Sequence, residues 1–134
     1  MIFRRRSRDP DLADAASAFA GVLEELEPAK AALAEAVPGT RLPGRPFSDA
    51  LAAFVAGAGR AQTLMATWRR PSLEKEWAAC STGLERSLRL ARAHPMDLPS
   101  EQAGFVGLVE RIQAILDPLE PFEAADAAFR RRRS

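Results

Sequence analysis

Arginine is the residue type through which this chain can do most chemistry, because a guanidinium stays cationic at any physiological pH and offers a fork of N–H donors to phosphate or carboxylate. Arg4, Arg5, Arg6 and Arg8 open the chain, Arg69 and Arg70 stand near its middle, and Arg130, Arg131, Arg132 and Arg133 follow one another near its end. These ten are the candidate anion-binding residues. The formal net charge of +1 conceals an uneven layout: residues 9–129 hold 11 basic and all 18 acidic residues, and the terminal segments hold only arginine charges. Like charges brought together repel, and a polyanionic partner relieves that repulsion. Solvated ends in an arginine-rich composition are the alternative reading, since only Lys30 and Lys75 are lysines.

Other chemistries find little support. A di-metal bundle site requires inward Glu residues and Glu-x-x-His pairs, and the chain has one histidine and no such pair. Phosphate-loop, dinucleotide, zinc and heme-attachment spacings are absent, so no metal, no cofactor and no catalytic residue is assigned. Cys80 is the single cysteine and lies on an apolar seam, which predicts a reduced interior thiol. Lys30, a charge on another apolar seam, is expected to snorkel outward beside Pro28.

The segment Arg89-Leu90-Ala91-Arg92-Ala93-His94 resembles the spaced arginine–histidine motif of the HEPN ribonucleases, which are also small helical bundles. That resemblance implies metal-independent RNA cleavage by Arg89 and His94, usually across a dimer. Leu90 departs from it, because a polar residue commonly follows the arginine in that family. A basic last helical turn that complements the helix dipole and stops at Pro95 explains the same residues without catalysis.

The elements that must position these residues are read from apolar periodicity. Leu12, Ala16, Phe19, Leu23, Leu26, Lys30, Leu33 and Val37 recur at alternating steps of four and three, as one face of a helix does. Phe47, Leu51, Phe54, Ala58, Ala61, Met65 and Trp68 form a second seam, and Leu73, Trp77, Cys80, Leu84, Leu88 and Ala91 a third. Phe105, Leu108, Ile112, Ile115, Leu119, Phe122 and Phe129 form the fourth. The prediction is an all-α, up-down-up-down four-helix bundle with helices over about 9–37, 47–70, 72–94 and 100–129. Residues 1–8 and 130–134 are read as basic tails. Asp9-Pro10, Ser48, Pro71-Ser72 and Pro99-Ser100 supply helix starts, and the prolines and glycines of residues 38–46 a loop. Pro28 and Pro118 predict kinks or breaks, and Gly57, Gly59, Gly104 and Gly107 predict close helix contact. An even number of antiparallel helices carries both arginine ends to the pole that holds Arg69 and Arg70.

No apolar run reaches the length of a bilayer span. The opening arginines are followed by Asp9, Asp11 and Asp14 rather than by the apolar stretch of a secretory signal, which suggests a cytoplasmic protein. Ile2, Phe3 and Phe129 beside arginine runs read as apolar wedges for a membrane surface, whereas Trp68 and Trp77 read as core. These features predict a non-enzymatic helical adaptor whose arginine pole meets a protein partner or an anionic membrane, placing it in the cytoplasm or at the membrane periphery. Nucleic acid ranks lower, because no tyrosine and few tail aromatics are present for base stacking. Homo-oligomerisation is compatible with the same helices. The alternatives are the ribonuclease and a plain bundle subunit of a larger assembly.

Overall fold

A computed structural model describes residues 10–36, 47–93 and 109–133, which are helical apart from short turns. Helix α1 (Pro10–Ala34) begins with a proline, whose missing N–H would have had no helical partner, and carries Asp11 against the positive end of the helix dipole. It runs unbroken through Pro28. Pro28 cannot donate to the Glu24 carbonyl, but both residues lie on the exposed side of the helix, open to solvent.

The buried residues of α1 are Ala15, Phe19, Val22, Leu26, Ala29 and Leu33, with Ala36 buried in the turn that follows. Leu12, Ala16 and Leu23, expected on the seam, are only partly buried. Adjacent apolar pairs such as Ala15-Ala16 and Val22-Leu23 leave two helix faces similarly apolar, and close packing on the second helix selects the face that holds Ala29. Lys30 sits beside the seam and pairs with Glu27 at 3.3 Å.

Helix α2 (Phe47–Thr63) buries Leu51, Phe54, Ala58 and Ala61, as its periodicity predicts. A Cβ on its Gly57 would lie 2.8 Å from the Ala29 Cβ and 3.1 Å from the Glu25 carbonyl, so glycine is what lets α1 and α2 approach here. Gly59 has nothing within 4 Å of that position and makes no such contact. The α-helix is shorter than the expected 47–70 span, and a 3-10 turn, Met65–Trp68, replaces its end. Side chains three apart eclipse in a 3-10 turn, which keeps both Met65 and Trp68 buried.

A second 3-10 turn, Pro71–Leu73, leads into α3 (Glu74–Ala93) without a side-chain cap, so the expected cap at Ser72 is not used. Leu73, Cys80, Leu84, Leu88 and Ala91 are buried, and Trp77 is partly buried. Helix α4 covers residues 109–116 and passes through a 3-10 turn, Asp117–Leu119, into α5 (Glu120–Arg133). The apolar seam crosses that corner intact through Ile112, Ile115, Leu119 and Phe122. The corner presses on α3 at Gly83, where a Cβ would lie only 2.0 Å from the Pro118 carbonyl oxygen. One turn along, the buried Ser87 hydroxyl donates to the Ile115 carbonyl at 2.5 Å.

Residues 130–133 are not a tail, because α5 continues through them. No glycine or proline interrupts the chain after Pro121, the Asp126–Arg130 pair at 2.7 Å has the favourable i,i+4 spacing, and cations suit a helix C-terminus. Asp9, Val37, Pro99, Ser100, Phe105, Leu108, Gly104 and Gly107 lie outside the described residues.

Contacts set the relative directions. Asp11 meets Arg70, Glu25 meets Arg60 and Ala29 meets Gly57, so α1 and α2 run antiparallel. Glu76 meets Arg132, Gly83 meets Pro118 and Ser87 meets Ile115, so α3 opposes α4 and α5. The protein is an all-α helical bundle, with no strand among the described residues.

Candidate functional site

The pole formed by the start of α1, the α2–α3 corner and the end of α5 gathers Arg69, Arg70 and the arginines that end α5. Beneath it lies a core of four rings. Phe19 contacts Trp68 edge-on with centroids 4.8 Å apart, and Phe129 lies 5.0 Å from Phe19 and 5.9 Å from Trp68. Phe122 stacks on Phe19 at 6.2 Å. Phe129 is 4% exposed and Trp68 fully buried, so Phe129 is a core residue rather than a surface wedge. The aromatic spacing of the seam outweighs the arginines that follow it.

Above this layer the arginines are held by acids of the same chain. Arg69 grips Glu74 with both arms of its fork, at 3.0 and 2.8 Å, and lies 3.9 Å over the Trp77 ring. The Trp77 indole N–H donates to the Met65 carbonyl at 2.8 Å, which fixes the ring beneath the guanidinium. Hydrogen bonding from Arg69 holds the Glu74 carboxyl below its ordinary range, so this pair is intact at neutral pH and is lost as pH falls through that lowered value. Arg70 donates to Asp11 at 2.6 Å and to the Thr67 and Arg69 carbonyls at 3.1 Å each. Arg130 pairs with Asp126 at 2.7 Å and Arg132 with Glu76 at 3.7 Å.

Arg131 is exposed, and α5 carries Arg133 in its last turn. Arg4, Arg5, Arg6 and Arg8 lie outside the described residues. The arginine pole is therefore partly neutralised from within, which the separation into basic ends and an acidic body did not foresee. Asp126 four residues before Arg130 was the legible signal; Asp11 and Glu76 depend on tertiary packing. The pairs lie at or near the surface, where solvent screens their attraction.

Arg89 is exposed on α3, and His94 lies outside the described residues. Among the described residues, no group of His, Cys, Asp and Glu is arranged to hold a metal ion, and no helix is long and apolar enough to cross a membrane. Cys80 is fully buried, and that burial, helped by the nearby Glu76 charge, pushes its thiol up to about 12. The folded thiol keeps its proton where an unfolded one loses it, so its contribution to stability is present at neutral pH and is lost as pH rises toward about 12. Cys80 should resist a chromogenic thiol reagent in the native protein and react fully in denaturant. Rapid native reaction, read by absorbance, would contradict its burial.

Comparison with protein families, curated proteins and solved structures finds no match for this chain.

Proposed function

We propose that this chain is a non-enzymatic helical interaction protein that docks its arginine-bearing pole on an anionic surface. One observation carries the reading: separate parts of the chain deliver Arg69, Arg70 and the Arg130–Arg132 turn to one end of the bundle, above a rigid aromatic layer. The sequence adds Arg4, Arg5, Arg6 and Arg8 just ahead of α1, whose first turn belongs to that end.

Each arginine close to an anionic membrane contributes about 1 kcal/mol, and exchanging an exposed internal pair costs about 0–1 kcal/mol. The net attraction is weak per residue and additive across the pole. Phe129 belongs to the core and supplies no wedge, while Ile2 and Phe3 lie outside the described residues. The attraction argued for the pole is that of its arginines, and charges more than about 8 Å from the surface are screened at physiological salt.

Co-sedimentation with vesicles containing phosphatidylserine should therefore show binding that fades as salt rises. The triple variant Arg130→Gln, Arg131→Gln, Arg132→Gln should bind at least about tenfold more weakly. Heparin in place of vesicles tests a soluble polyanion, and an acidic protein surface remains the third source of the same chemistry. Equal binding by the triple variant, or no binding at low salt to either probe, overturns the reading in favour of a plain subunit whose arginines serve only its own acids.

A further inference from the structure

Two groups of arginines differ among the described residues. Arg60, Arg69, Arg70, Arg130 and Arg132 are engaged by Glu25, Glu74, Asp11, Asp126 and Glu76. Among the described residues, no carboxylate stands within ion-pairing distance of Arg86, Arg89 or Arg92, which recur at every third residue along the exposed side of α3. Ser87, Leu88 and Ala91 between them are buried, so these guanidiniums rise from a backbone fixed by the core.

Helix electrostatics explain only part of this stripe. The negative end of the α3 dipole favours a cation in the last turn, where Arg92 lies, but its influence falls off within that turn. Arg86 and Arg89 lie further in. Glu85 has the i,i+4 spacing to pair with Arg89, yet the two do not come within ion-pairing distance.

Arg89 and Arg92 line an open groove of about 440 Å³ together with Glu85, Leu88 and Gln62, the last contributed by α2. That volume is in the range of small-ligand sites. We propose that this groove binds a phosphate monoester group. Two forked guanidiniums three residues apart on one helix suit a tetrahedral dianion. The Gln62 amide, contributed by α2, offers a neutral donor and acceptor beside them. Glu85 repels a second anionic group beside the first, which selects a single phosphate over a continuous polyanion. The phosphate can belong to a free metabolite or to a phosphorylated protein side chain, since the same donors recognise both.

This site is separate from the arginine pole, and its test is separate too. Inorganic phosphate, phenyl phosphate and a phosphoserine peptide should each be titrated into the intact protein, with arginine Nε–H and glutamine amide resonances followed by NMR. The expected result is a saturable shift at Arg89, Arg92 and Gln62. The double variant Arg89→Gln, Arg92→Gln should bind at least about tenfold more weakly, and Arg130→Gln, Arg132→Gln should bind as the parent does. Both replaced groove residues are exposed, so an unchanged circular dichroism spectrum is expected for the double variant. Tighter binding of phenyl phosphate supports the proposal with a metabolite as ligand, and tighter binding of the peptide supports it with a phosphoprotein. Shifts that fail to saturate, that chloride reproduces at equal ionic strength, or that persist in the double variant overturn it.

Discussion

Gly83→Ala should destabilise this protein by about 3 kcal/mol or more, the upper end of what overpacking costs. The added methyl would lie 2.0 Å from the Pro118 carbonyl oxygen and 3.2 Å from its carbon. Both are backbone atoms at a 3-10 corner, so no flexible side chain can swing aside. The gain of about 1 kcal/mol in helix propensity is too small to offset this. Gly21→Ala is the matched control, because Gly21 also lies inside a helix but has nothing within 4 Å of the new methyl. It should stabilise by about 0.5–1 kcal/mol. Urea unfolding midpoints of the two variants should therefore move in opposite directions, and a shift of the same sign would show that the α3 contact with the Pro118 corner is looser than described.

The second large effect is expected at Phe129. Its ring meets both Phe19 and Trp68 and is almost wholly buried, so Phe129→Ala should cost about 3–5 kcal/mol. The neighbouring replacements Arg130→Gln and Arg132→Gln change exposed arginines and should each stay within about 1 kcal/mol. Thermal unfolding monitored by circular dichroism separates these cases. A small loss at Phe129 matched by similar losses at the arginines would mean that the end of α5 is held by its charges rather than by its ring.

The bundle was legible in the sequence where one residue type dominated a face. On α2 and the 3-10 turn that follows it, the bulky Leu51, Phe54, Met65 and Trp68 leave a single way to turn the segment inward, and these residues are buried. On α1, alanines stand on several sides and Val22 adjoins Leu23, so periodicity alone could not decide between neighbouring faces. The choice is made by α2, whose Gly57 admits Ala29. Gly83 carried no local signal at all, because what excludes a methyl there comes from Pro118 on another helix.

The arginines of the candidate site show the same division. Their clustering along the chain was plain, and so was the local pairing of Asp126 with Arg130. That Arg70 would find Asp11 and Arg132 would find Glu76 depends on which helix ends meet, and a count of charges along the chain does not contain that information. The groove at Arg89 and Arg92 likewise exists only once Gln62 of α2 stands opposite α3.

The four-ring layer joins α1 and the α2–α3 corner to α5, and this bears on how the protein is made. Phe19 and Trp68 are synthesised well before Phe122 and Phe129. A nascent α1–α2 hairpin can form early, but its Phe19 and Trp68 rings must stay uncovered until α5 emerges. Until then the growing chain presents an apolar patch open to chaperones or to neighbouring nascent chains. Burial of that patch therefore waits for the synthesis of α5.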